Sequence, residues 1–190
     1  MEQNSYFRGF LAVKISKSLE DEIRRYQESF KKENLGCKWV DPRNIHLTLN
    51  FLGNIEYKLA ASITDNLSTL LKKIDPFVIK LGRVGVFPNV KRPSVFWIGT
   101  MFGGDNLKKI KEICDNAIVD FGFKKEGREF NPHFTIGRFK GPANTMRMEQ
   151  ILERDRSKVF GEFEVERVIL FKSDLKAYGP EYSEFSLIEF

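Results

Sequence analysis

Both histidines of this 190-residue chain are followed two places later by threonine, in His46-Leu47-Thr48-Leu49 and in His133-Phe134-Thr135-Ile136. The chain has only six threonines, so the same spacing around both imidazoles is far more specific than either motif alone. In an extended strand, residues i and i+2 face the same side. Each motif therefore presents an imidazole and a hydroxyl together, with Leu47 and Leu49, or Phe134 and Ile136, packed behind. Two imidazoles flanking one anion can divide proton transfer between them. A neutral ring takes a proton from water, and a protonated ring gives one to the leaving oxygen. Threonine hydroxyls can donate to non-bridging phosphate oxygens as charge builds. A cyclic phosphodiester suits this set, because its ring is strained and its nucleophile is water.

A metal site is the competing reading of the histidines, which are common ligands. It lacks ligands: no second His or Cys lies nearby on either strand, and no carboxylate shares their expected inner face. The expectation is a site with no metal and no cofactor. Arg138 is a candidate phosphate clamp, since a guanidinium matches phosphate geometry. It lies five residues after His133, so a regular strand would aim it to the opposite face. Gly137 can supply the bulge that turns it back.

The surrounding pattern supplies elements to carry these groups. Strands are expected over 6–15, 45–52, 77–87, 94–100, 130–139, 160–171 and 182–188, from β-branched and aromatic runs bounded by turn residues. Helices are expected from Ser18, with Asp21 as its capping-box partner, and over 56–73, 106–121 and 144–155. Their stripes are Leu19, Ile23, Tyr26 and Phe30; Leu59, Ile63, Leu67 and Leu70; and Leu107, Ile110, Cys114, Ala117 and Phe121. Gly122 stands just past the third helix, where a left-handed cap is common. The order strand, helix, motif strand, helix, strand occurs twice. Trp97 follows Phe10, and His133 follows His46, at one common interval. The fold expected is α+β and bilobal, a pseudo-twofold duplication in which two antiparallel sheets line a central cleft with helices outside. Residues 1–190 form one such domain.

Composition agrees with a packed domain: 42% of residues are hydrophobic, and 18 are phenylalanine. Most phenylalanines belong to the core, and one or two could line a base-stacking surface. Phe7, Trp39 and Trp97 are read first as core. The net charge of +5 favours polyanionic partners. Lys91-Arg92, in a loop between Pro88 and Pro93, is the preferred contact for an RNA backbone. Lys72-Lys73, Lys108-Lys109 with Lys111, and Lys124-Lys125 read as solvated helix faces or ends. Cys37 and Cys114 read as reduced, buried thiols. No apolar run reaches a membrane span, and Met1-Glu2-Gln3-Asn4-Ser5 lacks a signal-peptide pattern. The expected location is the cytoplasm, with no membrane attachment and no obligate protein partner.

The motifs resemble those of the 2H phosphoesterase superfamily, and within it the RNA 2′,3′-cyclic phosphodiesterases, also called 2′-5′ RNA ligases. The resemblance covers nearly the whole chain. It rests on Phe7 to Val13, on Trp39 to Gly53 around the first motif, and on Pro132 to Arg138 around the second. Phe87-Pro88, Pro93 to Gly99, Leu170 to Ser173 and Gly179 to Tyr182 fit weaker family patterns. It implies a bilobal fold, RNA ending in a 2′,3′-cyclic phosphate as substrate, hydrolysis to a 2′-phosphate, and reversible 2′-5′ ligation in vitro. By family pattern, His46 protonates the leaving 3′ oxygen and His133 activates water; the residues themselves leave the two roles open. Two other readings stand beside this one. One is a related enzyme acting on 2′-5′ oligonucleotides or small cyclic nucleotides. The other is a non-catalytic module gripping an RNA phosphate, against which the near-neutral titration of histidine speaks.

Overall fold

A computed structural model describes residues 5–30, 32–33, 35–176 and 179–190; Met1 to Asn4 of the amino-terminal segment read above lie outside them. The chain runs β1 (Tyr6–Lys14), α1 (Lys17–Glu28), β2 (Cys37–Trp39), a 3-10 turn (Pro42–Asn44), β3 (His46–Glu56), α2 (Tyr57–Leu71), β4 (Phe77–Phe87) and β5 (Val95–Phe102). It continues through α3 (Gly104–Val119), β6 (His133–Phe139), α4 (Thr145–Arg154), β7 (Val159–Val165), β8 (Arg167–Lys176) and β9 (Gly179–Glu189). The fold is α+β, with every strand pair antiparallel.

The strands form two sheets, ordered β3-β1-β8-β9 and β2-β6-β5-β4-β7. The duplication is visible in these orders. Each motif strand, β3 or β6, pairs with the first strand of its own half, β1 or β5. The next strand inward comes from the other half: β8 beside β1, and β4 beside β5. The halves therefore exchange strands. One hydrophobic cluster spans both sheets, from Leu11, Leu47 and Leu49 to Ile98, Phe134 and Ile136. A smaller cluster of Phe10, Ala12, Ile169 and Phe171, with Tyr182 against it, covers the opposite face of the first sheet.

Three sequence expectations need correction. Helix α1 is not opened by a Ser18–Asp21 capping box. Ser16 is its N-cap, without a side-chain cap bond, and the Ser16 hydroxyl lies 2.9 Å from that of Ser18. The strand expected over 160–171 is two strands, β7 and β8, which belong to different sheets and meet at Glu166. No glycine or proline marks that crossing, so the hydrophobic run reads through it. In α2 the buried stripe is Ala60, Ile63, Thr64, Leu67 and Leu71; Leu59 and Leu70 lie at its edge, packed against the core but only partly buried. Helix α3 buries Leu107, Ile110, Cys114 and Ala117 as expected, and Gly122 has a φ of 85°. Asn144 caps α4, its side chain accepting from the Arg147 amide at 3.1 Å.

Candidate active site

The motif strands β3 and β6 approach one another from the two sheets. Along β3, His46 and Thr48 are half-buried while Leu47 and Leu49 are buried; along β6, His133 and Thr135 are half-buried while Phe134 and Ile136 are buried. Both strands then break register at the same place. Leu11 pairs with Asn50 but Ala12 with Thr48, so Leu49 is the extra residue of β3. Phe96 pairs with Gly137 but Trp97 with Thr135, so Ile136 is the extra residue of β6. A bulge reverses the facing of the residues beyond it. This puts Arg138, five residues past His133, back on the exposed side, and puts Phe51 at the equivalent position past His46. The parity conflict of Arg138 is met by this bulge, whose extra residue is Ile136, next to the Gly137 that the sequence offered as its source.

Close packing explains why position 137 is glycine. Strand β2 pairs across it, Trp39 opposite Gly137 and Lys38 opposite Arg138, and a Cβ there would lie 2.3 Å from Cys37 Sγ and 3.3 Å from Trp39 Cε3. The bulged Ile136 carbonyl, outside the regular ladder, accepts from Val40 N at 3.0 Å and from the buried Gln27 Nε2 at 3.0 Å. Gly137→Ala is therefore expected to lower stability by ~1–3 kcal/mol through overpacking and to reduce turnover by displacing Arg138. A thermal melt that matches wild type would contradict this account of the bulge.

The two imidazoles are held alike. His46 Nδ1 lies 2.7 Å from the Asn44 carbonyl oxygen, and His133 Nδ1 lies 2.8 Å from the Asn131 carbonyl oxygen. The carbonyl can only accept, so Nδ1 carries the proton in each ring. In the neutral form this leaves Nε2 as an acceptor. Around His46 stand Phe10, at 4.9 Å between ring centroids, and Tyr182, edge-on at 5.3 Å. Against His133 stands Phe87, edge-on at 5.0 Å. Trp97 lies 5.1 Å from Phe87, and its indole rests on Gly85, where a Cβ would be 2.1 Å from Cζ2.

Burial pushes the His46 imidazole down to about 4; the Arg138 charge adds to the fall, and the Asn44 carbonyl opposes it. Burial also lowers His133, with Arg138 again adding and the Asn131 carbonyl opposing. The same guanidinium counteracts the burial that raises Tyr182. The Arg138 charge thus acts on residues of both sheets, His46 and Tyr182 in one and His133 in the other. Among the described residues, no three His, Cys, Asp or Glu side chains gather into a group that could hold a metal ion, and no helix is long and apolar enough to cross a membrane.

The sequence model of the LigT-like phosphoesterases matches residues 13–97 and 103–182, which include both motifs. The chain belongs to the LigT-like phosphoesterase family. A Methanocaldococcus jannaschii protein named RNA 2′,3′-cyclic phosphodiesterase is 40% identical over 92% of this chain and 96% of its own. An Aquifex aeolicus protein of the same name is 37% identical, over 93% of each chain. Among solved structures, a Thermus thermophilus protein superposes with a TM-score of 0.80 at 26% identity, covering 96% of this chain and 97% of that one. Escherichia coli LigT complexed with 3′-AMP superposes with a TM-score of 0.74 at 19% identity, covering 97% of this chain and 98% of its own; that likeness is one of fold.

Other sequence candidates of this LigT-like chain divide clearly. Phe7 is buried, and Trp39 packs against Phe30 and Phe96 in the core. Trp97 instead walls the cavity beside His133. Lys91 and Arg92 sit in an exposed loop, where Arg92 N donates to Asn89 Oδ1 at 3.1 Å; neither lines that cavity. Of the basic runs, Lys111 is not solvated: it is buried against Asp115, which also accepts from Asn50 Nδ2 at 2.6 Å. Both cysteines are free; Cys114 is buried and Cys37 half-buried. Sequence reading missed Phe10, Phe87, Phe171 and Tyr182 as the walls around the imidazoles. It also missed the Asn carbonyls, although Asn-x-His-x-Thr stands in both motifs as a visible repeat.

Proposed function

We propose that this chain hydrolyses the 2′,3′-cyclic phosphate at an RNA end to a 2′-phosphate, by a metal-independent exchange of protons between His46 and His133. The observation that carries the reading is the matched pair of imidazoles. Each has Nδ1 committed to a backbone carbonyl two residues earlier, and both lie within the field of Arg138. The names of its relatives support the same substrate. His133 takes the proton of the attacking water at Nε2, and His46 gives a proton to the departing 3′ oxygen. Thr48 and Thr135 donate to the non-bridging oxygens, and Arg138 balances the charge that builds on them. A 5′-hydroxyl in place of water would leave a 2′-5′ linkage, so ligation is the same chemistry with another nucleophile. The whole chain works as one bilobal unit in the cytoplasm, with RNA as partner and no obligate protein partner.

The acid must carry a proton that burial disfavours. An anionic phosphate beside the ring favours the imidazolium, so substrate brings its own remedy. A short RNA ending in a 2′,3′-cyclic phosphate is expected to be turned over fully in EDTA, with a 2′-phosphate as product. The dependence of kcat/KM on pH, which reports the free protein, should be bell-shaped and displaced below the ordinary imidazole range, because both rings are depressed. It falls at low pH as the base is protonated and at high pH as the acid is lost. The kcat profile, which reports the complex, should lie at higher pH. Turnover lost in chelator and restored by Mg²⁺, Mn²⁺ or Zn²⁺ would overturn the two-histidine mechanism.

A further inference from the structure

An open cavity of about 700 Å³ runs from His133 along β5 to the beginning of α3, within the ~300–1,000 Å³ range of small-ligand pockets. At its near end it is continuous with the reacting centre, through Asn131, Phe87 and His133. Its wall is Trp97, and its floor at Gly99 lacks a side chain. Farther along, it is lined by the exposed side chains of Met101 and Phe102 and by the cations Arg83 and Lys108. The one carboxylate on its lining, Asp105, lies 3.3 Å from Lys108. Arg83 has no ion pair among the described residues.

Arg83 is also the only non-glycine among the described residues with a positive φ, at 56°. It is the extra residue of a bulge in β4: Gly82 pairs with Gly99 and Val84 with Ile98, leaving Arg83 unpaired with β5. Its amide donates instead to the Lys158 carbonyl at 2.9 Å. Glycine adopts a left-handed backbone freely, and a side chain resists it. Glycines stand nearby, at 82 and 85, yet not at the position that needs one. Strain kept in this way is a pointer to use. The bulge holds a guanidinium at the lining of a cavity that opens from the catalytic histidine.

We propose that this cavity is a second nucleotide subsite, in which Arg83 holds a phosphodiester of the RNA strand leading away from the cyclic end. Trp97 and Phe102 offer apolar surface to the sugar or base, and Lys108 adds positive potential. Position 83 therefore makes the protein a reader of polynucleotide ends in preference to single cyclic nucleotides. The inference rests on the phosphodiesterase reading above.

The test compares a nucleoside 2′,3′-cyclic phosphate with a trinucleotide bearing the same cyclic end. Wild type is expected to show the higher kcat/KM on the trinucleotide. Arg83→Gly removes the cation while suiting the backbone, so its melting temperature should hold or rise. It should raise KM for the trinucleotide about tenfold, as expected for one charged hydrogen-bond contact, and leave the mononucleotide unchanged. The slope of log KM against log salt on the trinucleotide should fall by about 0.7, the share of one single-strand phosphate. Arg83→Lys should keep that slope. If wild type turns over both substrates but Arg83→Gly affects them equally, or affects neither, the subsite is wrong and the phosphodiesterase reading stands. If wild type turns over neither substrate, the phosphodiesterase reading falls and the subsite with it.

Discussion

His46→Ala and His133→Ala should each lower turnover of a cyclic-phosphate RNA end by ~10²-fold or more, since each removes one half of a proton-transfer pair. The fold should survive both changes. Each ring is half-buried on its strand, and each makes one hydrogen bond, to a carbonyl two residues away. The apolar side chains behind them, Leu47 and Leu49 or Phe134 and Ile136, carry the packing. Melting temperatures should therefore move little while kcat collapses. The double variant should be scarcely worse than either single one, because groups that act as a unit are not additive. Inorganic phosphate should still bind both single variants, since Arg138 and the threonines remain. A folded His→Ala protein with near-normal kcat would remove that histidine from the mechanism.

Arg138→Gln should lower kcat/KM by ~10²–10³-fold, the scale for losing a donor aimed at developing transition-state charge. A second readout is independent of turnover. Arg138 lowers both imidazoles, and a nearby cation always disfavours the imidazolium. Its removal should therefore raise both histidine pKa values toward the ordinary 6.5 of imidazole. The chain has only two histidines, so an NMR titration resolves the site without interference. Tyr182, also lowered by Arg138, should move up as well. If only one imidazole shifts, Arg138 is not shared between the sheets, and the common phosphate position is lost with it.

Much of this site was legible because its logic is local. His-x-Thr in a strand fixes a shared face by period alone, and the same alternation predicted which side chains would pack behind. Arg138 was legible by conflict: its parity was wrong for a regular strand, Gly137 offered a bulge, and a bulge is there, with the neighbouring Ile136 as its extra residue. The walls were not legible. Phe10, Phe171 and Tyr182 reach His46 from β1, β8 and β9, and that adjacency is set by strand order, which no local period encodes. The division of 160–171 into β7 and β8 was hidden for the same reason, since the chain changes sheets at Glu166 without a turn signal. Arg83 lies beyond sequence reading in another way. Its backbone angle arises from a register slip against β5, and an arginine gives no hint of a conformation that glycine would mark.

The exchange of strands between the halves bears on how the cleft can move. Proteins that clamp a ligand by hinge bending need bodies joined by a few free connections. Here β4 leaves the first half to sit between β5 and β7, and β8 leaves the second to sit between β1 and β9. Swinging the sheets apart would have to split the one hydrophobic cluster that both of them share, and β7 and β8, which lie in different sheets, have a single residue of slack between them. The span between the imidazoles is therefore braced from both sides, like the jaws of a fixed gauge. Such a gauge selects what fits an opening already set, so discrimination among RNA ends falls to the reach of side chains at the rim, not to domain closure.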